Sequence, residues 1–399
     1  MKFEFAAPGR IIFGPGSVSE VGPAAALLAG TPGSALRALV VSGAGSLAVP
    51  RDGGNPRAAP LLASLEAAGI ACERFAIGTE PRFEDARAAL AQARASGCRL
   101  VVGFGGGSAL DLAKVVAALL ANPGDPLDYA EVIGGAKALT EPSYPCIAIP
   151  TTAGTGSEAT RNAVLVSTEE GVKASLRSPT MLPRLAIVDP ELSYRLPPSV
   201  TAETGMDALA QLLEPLVCSS PNPLVDGICR EALPRAIASL PRAFRDGGDE
   251  GAREGMAYAS LSGGLALANA RLGAVHGFAA PLGGAFPIPH GAACAALLAP
   301  VATANVRALR ARDPRSPALA RYAEAARMLT GSATALPEDA GPGLKRLADE
   351  LGIRGLRSFG IKLEDFSAIT RKAAAASSMR GNPIPLLPDE LAAILDAAW

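Results

Sequence analysis

Along the first half of the chain, short apolar runs alternate with longer stretches in which apolar positions recur every three or four residues. The runs "RALVV" (37–41), "ACERFAI" (71–77), "CRLVVGF" (98–104), "YPCIAIP" (144–150) and "RLAIVDP" (184–190) read as strands. Between them, "FEDARAALAQARASG" (83–97) and "SALDLAKVVAALLAN" (108–122) have helical spacing. Strands alternating with helices predict a parallel sheet covered on both faces. "NAVLVSTEEGVKASLRS" (162–178) breaks the rhythm, because two alternating runs flank Glu169-Glu170-Gly171 and predict a hairpin. Past Pro197 and Pro198 the apolar residues keep helical spacing to Trp399, with no β-type runs. The pattern therefore predicts an α/β domain over 1–190 and an all-helical domain over 191–399. Two polar segments, 49–60 and 332–343, read as mobile loops.

Composition narrows the class. The 399 residues suggest two to three domains. Acidic and basic residues are balanced, 38 against 37, and well mixed, which argues against nucleic acid or a polybasic membrane surface as partner. The six cysteines are scattered without a CxxC, so buried free thiols in a reducing compartment are expected. No secretory signal is visible, and the most apolar windows read as too short or too broken by Gly and Pro to span a bilayer. A soluble cytoplasmic protein is the expectation.

Two loops at strand ends carry candidate chemistry. "VVGFGGGSALDLAK" places Gly105, Gly106, Gly107 and Ser108 between a strand and a helix. Glycines there let a phosphate approach the backbone, and the helix start offers unpaired N–H groups and positive dipole. The spacing is not GxGxxG. "PTTAGTGSEAT" (150–160) is a second loop of this kind, rich in hydroxyls and glycine. A tight turn without a ligand explains either loop alone, but the pair at strand carboxyl ends points to a dinucleotide. The chain's only two histidines, His276 and His290, fall within one window, "GAVHGFAAPLGGAFPIPHG".

These motifs, with "GRIIFGPGS", "IPTTAGTGSE", "VKASLRSPTMLPRLAIVDP", "TGMDAL" and "PHG", occur in one order along essentially the whole chain. In that order the chain resembles the iron-containing (group III) alcohol dehydrogenases. The resemblance implies an N-terminal Rossmann-like nucleotide-binding domain and an all-α C-terminal domain. It also implies NAD(P), a divalent metal (Fe2+ or Zn2+), a small alcohol or aldehyde substrate and a homodimer. By position, Gly105, Gly106, Gly107 and Ser108 match the pyrophosphate loop, with Asp111 on the next helical turn. Thr151, Thr152 and Thr155 match nucleotide-holding positions, and Lys173 matches a lysine that reaches the ribose and phosphate. Gly43 stands where many NAD-preferring members carry Asp, with Ser46 just after. A missing carboxylate removes repulsion against a 2′-phosphate, which tilts the expectation toward NADP(H), with NAD(H) still used.

The resemblance further implies a metal held by one Asp and three His. Here Asp207 is present, the residue four on is Gln211, and His276 and His290 match the other two ligands. A further family histidine, four after His276, is Ala280. One carboxylate and two imidazoles suffice for zinc or for Fe(II), and related glycerol dehydrogenases use zinc in this way. Asp207, His276 and His290 are thus the expected catalytic and metal-binding residues, with Gln211 as a weak ligand. The metal would act as a Lewis acid during hydride transfer at the nicotinamide C4. Ala280 cannot relay a proton, so solvent at the metal, a ribose hydroxyl or a threonine of 151–155 would have to serve. Phe278 and Phe286 are candidate walls of an apolar substrate pocket. Three other readings stay open: a dehydroquinate synthase-type lyase, a metal-independent reductase of the maleylacetate reductase type, and a nucleotide-binding relative that has lost its chemistry.

Overall fold

The computed structural model describes residues 2–29, 36–47, 57–78, 80–170 and 172–399. The chain forms two compact units, one of Ala7–Thr152 and Gly156–Ser193, the other of Tyr194–Trp399 with the N-terminal residues through Ala6 and with Ala153–Thr155.

The first unit contains strands β1 (Ile11–Phe13), β2 (Arg37–Gly43), β3 (Ala71–Ile77), β4 (Leu100–Gly105), β5 (Cys146–Pro150), β6 (Asn162–Ser167), β7 (Val172–Arg177) and β8 (Leu185–Val188). Six of them form a sheet in the order β1-β8-β5-β4-β2-β3, every pair parallel. β6 and β7 form the antiparallel hairpin that the alternating runs predict. The helices are α1 (Val21–Ala29), α2 (Ala44–Leu47), α3 (Ala59–Ala67), α4 (Phe83–Ala95) and α5 (Gly107–Ala121). Strand geometry sends alternate side chains to opposite faces. Leu39, Val41 and Val101 accordingly pack with α4 and α5, while Ala38, Val40, Leu100 and Val102 pack with α1 and α3. Covering both faces explains why these strands are unbroken apolar runs. Gly103 and Gly105 draw α5 close: a Cβ on them would lie 2.9 Å from Ala113 Cβ and 2.8 Å from Ala109 Cβ.

The second unit is built from α6 (Pro198–Val217), α7 (Pro223–Arg245), α8 (Glu250–Asn269), α9 (Ala274–Ala285), α10 (His290–Arg312), α11 (Pro317–Thr330), α12 (Ala340–Glu350), α13 (Phe366–Ala375) and α14 (Pro388–Ala398). Small residues set the close crossings. A Cβ on Gly205 would meet Leu240 of α7 at 2.2 Å, and one on Gly255 would meet Ser239 at 2.1 Å. α6 runs through the middle of this unit and is buried at nearly every position from Thr201 to Val217.

Several expectations change. β1 was not read, because three residues that pair with a strand about 175 positions away leave little local pattern. Of the segment read as a loop over 49–60, residues 49–56 lie outside the described residues and Ala59-Pro60 open α3. The segment 332–343 is not a free loop: Pro337 and Ala340 are buried and α12 starts at Ala340. Its glycines serve packing, since a Cβ on Gly341 would sit 2.0 Å from Thr303 Oγ1. α10 is, by length and composition, apolar enough to cross a membrane, although its sequence reads as broken. Pro300 lies inside the helix without ending it, and most of the apolar stretch is buried in the helical core.

Candidate active site

Beyond Gly205, α6 is apolar except for a line of polar groups. Asp207, Gln211 and Glu214, at i, i+4 and i+7, share one face, and they are 1%, 2% and 5% exposed. Ionisable and amide groups are kept in such a place only with partners. Two helices supply them. His276 sits in the first turn of α9, His290 is the first residue of α10, and Cys294 lies one turn further along α10.

The side chains converge on one point. Asp207 Oδ1 is 3.4 Å from His276 Nε2 and 3.9 Å from His290 Nε2. Cys294 Sγ is 3.6 Å from His290 Nε2 and 4.0 Å from His276 Nε2. The four donor atoms all lie within 4.8 Å of one another. Asp207 Oδ1 and Gln211 Oε1 are buried without a hydrogen-bond partner. A buried carboxylate oxygen with no donor, facing two imidazole nitrogens, is what a cation would satisfy. Donor types and spacing therefore fit a divalent metal.

Electrostatics agree. Burial alone would raise the Asp207 pKa, but His290, His276 and Gln211 outweigh it and hold the carboxyl below its usual range. Cys294 and then Asp207 push His290 up to about 9 against its desolvation. His276 is held well above its ordinary value: burial opposes the proton, and Cys294, Glu214 and Asp207 overcome it. A metal ion bound here would compete with protons for these nitrogens. His290 is 42% exposed, so the cluster is open on that side.

Glu214 completes the arrangement. Its Oε2 accepts from His276 Nδ1 at 2.6 Å, and its Oε1 accepts from the Val275 N–H at 2.7 Å. Holding Nδ1 as the donor turns the lone pair of Nε2 toward Asp207, the carboxylate–imidazole pairing that orients metal ligands. The start of α9 is fixed from a distance. Asn382 Oδ1 accepts from Ala274 N–H at 3.1 Å, and Asn305 Nδ2 donates to both Asn382 and Tyr322.

In the first unit the strand ends carry the residues expected to hold a nucleotide. α5 begins at Gly107 with Gly106 as its N-cap and no capping side chain, so its first N–H groups are free for an anion. Gly105 lies beside Gly43, and Thr151 N–H donates to Gly105 O at 2.9 Å. Thr152 Oγ1 lies beside Gly106, and Ser108 is half-buried. The other expected residues have different neighbours. Asp111 is occupied internally, accepting from Ser157 Oγ at 2.5 Å and Val164 N–H at 2.8 Å. Lys114, fully buried, donates to Ser157 O at 3.1 Å and Thr160 Oγ1 at 3.0 Å and pairs with Asp111 at 3.0 Å. Together they brace the second glycine loop. Lys173 Nζ pairs with Glu80 at 2.6 Å. Ser46 is half-buried in α2, and its carbonyl accepts from Ala58 N–H at 3.1 Å. Thr155 belongs with Ala153 and Gly154 to the helical unit, where a Cβ on Gly154 would lie 2.5 Å from Thr204. Phe278 is not a pocket wall: it is fully buried in the helical core, and Phe286 packs against that core.

Comparison with known proteins decides the family. Residues 8–190 match the iron-containing alcohol dehydrogenases, and residues 201–399 match the C-terminal part of the Fe-containing alcohol dehydrogenase family. The chain belongs to the iron-containing alcohol dehydrogenase family. It is 36% identical to the 1,3-propanediol dehydrogenase of Klebsiella pneumoniae, covering 100% of this chain and 99% of that one. A crystal structure of 1,3-propanediol oxidoreductase superposes with a TM-score of 0.89 at 34% identity over 100% of both chains. Sulfoacetaldehyde reductase from Bifidobacterium kashiwanohense, in complex with NAD+, gives 0.85 at 28% identity over 100% of this chain and 99% of that one. The protein is an NAD(P)-dependent alcohol dehydrogenase, and its parallel α/β and helical units are those of its family.

Sequence reasoning missed three residues around these sites. Glu214 was legible as the third member of the i, i+4, i+7 line on α6. Cys294 falls among the cysteines expected to be buried free thiols, although it lies four residues after His290 on one helix. Lys114, in "ALDLAK", gave no sequence signal beyond being polar in a buried helix.

Proposed function

We propose that this dehydrogenase interconverts a small alcohol and its aldehyde or ketone at a divalent metal held by Asp207, His276 and His290. The observation that carries the reading is the buried, unpartnered Asp207 Oδ1, set 3.4 Å and 3.9 Å from the Nε2 atoms of the chain's only two histidines. When bound, the metal supplies Lewis-acid polarisation of the substrate oxygen, and the nicotinamide exchanges hydride with the adjacent carbon.

The chain's own residues prepare that step. Glu214 fixes the His276 tautomer, and the Gln211 amide supports Asp207 through a hydrogen bond. Burial of Asp207 keeps its charge in a low-dielectric setting, where it is worth more than in water. The free N–H groups at the start of α5, with Gly105, Gly106, Gly107, Ser108, Thr151 and Thr152, take the pyrophosphate. Asp111 and Lys114 act as positioning residues for the loop that carries Thr155. Gly43 ends β2 without a carboxylate, which supports use of NADP(H) beside NAD(H). Free, mostly buried thiols support a reducing, cytoplasmic setting, and a homodimer is the expected assembly.

The test is metal content and turnover in the His276→Ala variant. Loss of metal should remove several kcal/mol of transition-state stabilisation, about 10³-fold or more in kcat/KM, with dinucleotide affinity retained. Full alcohol oxidation by metal-free His276→Ala protein would reject the proposal. Net change in NAD(P)H absorbance separates it from a lyase.

A further inference from the structure

We propose that Cys294 is the fourth protein ligand of the metal, in the place where the resemblance puts Gln211. This rests on the metal reading above and concerns which atoms complete the site.

A tetrahedral ion with bonds of about 2.0–2.1 Å to nitrogen and oxygen and about 2.3 Å to sulfur has ligand–ligand edges of about 3.4 Å between N or O atoms and about 3.6 Å from S to N. The edges here are 3.4 Å and 3.9 Å from Asp207 Oδ1 to the imidazoles, and 3.6 Å and 4.0 Å from Cys294 Sγ to the same nitrogens. Cys294 thus supplies a fourth donor beside the other three, and a substrate oxygen would enter as a fifth on the exposed side of His290. Its thiol is fully buried and touches both ligand nitrogens.

Gln211 is directed elsewhere. Its amide hydrogen-bonds Asp207, and its Oε1 faces α8, 3.3 Å from where a Cβ on Gly263 would stand. The helix register explains the exchange. His290 opens α10, so the residue one turn on faces the same way, and the chain supplies a cysteine at that position. A site with one carboxylate, two imidazoles and one thiolate is softer than one with three imidazoles, and thiolate ligands select zinc. This member of an iron-containing family is therefore built to retain zinc over iron. The other buried thiols, Cys98, Cys146, Cys218 and Cys229, belong to no such cluster among the described residues.

The experiment uses the full chain, stripped with a chelator and titrated with Co2+. Wild type should take up one equivalent and develop an intense near-ultraviolet thiolate-to-cobalt absorption. Cys294→Ser and Cys294→Ala should lose that band and bind cobalt at least tenfold more weakly, with dinucleotide binding and circular dichroism unchanged. In competition, the Zn2+ over Fe2+ preference of wild type should narrow at least tenfold in Cys294→Ala. X-ray absorption of the zinc-loaded wild type needs no variant and should show one sulfur neighbour at about 2.3 Å. One bound cobalt without the band, a band that survives both substitutions, or zinc with no sulfur neighbour would overturn the assignment of Cys294 and leave the three-ligand metal site standing. No cobalt or zinc uptake by wild type would reject the metal reading itself.

Discussion

Among the described residues, two buried carboxylates, one in each unit, have oxygens without hydrogen-bond partners, and their pKa values shift in opposite directions. Asp207, in the helical unit, is held below its usual carboxylate range by the imidazoles and the amide around it. Glu158, in the second glycine loop of the sheet unit, has both oxygens unpartnered and is pushed up to about 7 by burial, which Lys114 offsets only in part. Burial is the same in both, at 1% exposure. What differs is the neighbourhood. Around Asp207 the chain places two imidazole nitrogens, at 3.4 Å and 3.9 Å from its Oδ1. Near Glu158 the cation Lys114 is taken up by Ser157, Thr160 and Asp111. An unpaired carboxylate marks a ligand site when its surroundings favour the charge, and a proton-holding group when they do not.

The largest way to break the contrast is the His276→Ala substitution, which removes one of the groups that keep Asp207 charged and should abolish metal retention. Next comes Glu158. Its folded-state pKa, about 7, lies above the ordinary value of 4.5. Between those values the native state keeps a proton that the unfolded chain has lost, so stability falls as pH rises from about 4.5 and levels off above about 7. The span is about 3 kcal/mol at about 1.4 kcal/mol per unit. Urea unfolding of Glu158→Gln at pH 5 and pH 8 should show this part of the slope removed. An identical slope in variant and wild type would mean that Glu158 is solvated and the contrast false.

A smaller effect sharpens the ligand side. Glu214→Gln should weaken metal affinity about 10–100-fold by loosening the orientation of His276, with dinucleotide affinity unchanged. Chelator competition followed by a metal-sensitive dye measures it, and unchanged retention would show that the His276 ring is fixed by packing alone. The smallest effect tests the sheet unit. Gly105→Ala places a methyl 2.8 Å from Ala109 Cβ, which costs about 1 kcal/mol or more of stability and should raise the dinucleotide Kd about tenfold. Metal content should not change, and calorimetric titration with NADH checks the binding.

The same contrast explains what could be read from the chain beforehand. The central strands and the two-part organisation were legible because β2, β4, β5 and β8 are unbroken apolar runs and the residues after Pro198 keep one period. β1 was not legible, because a three-residue strand depends on a distant partner for its definition. His276 and His290 stand out by scarcity, Asp207 only through the family resemblance, and the three converge. Glu214 and Cys294 were missed although both sit at helical spacing from a named residue, because that spacing carries meaning only once the helix start is known. For Cys294 that start is the Pro289–His290 step. Asp111 carries the converse lesson. Its position in the motif suggested a ligand contact, but its two oxygens are spent on Ser157 and Val164, a long-range partnership that no local pattern records.

The cap on α9 has a consequence in time. Asn382, which holds the Ala274 N–H and so the first turn that carries His276, follows that turn by more than a hundred residues. Chains are made from the N-terminus, and domains fold as units as they emerge. The sheet unit can be complete while the helix bearing His276 still lacks its cap, and it lacks it until residue 382 has left the ribosome. On a nascent chain, the turn that carries His276 therefore gains this cap only after the sheet unit has been made.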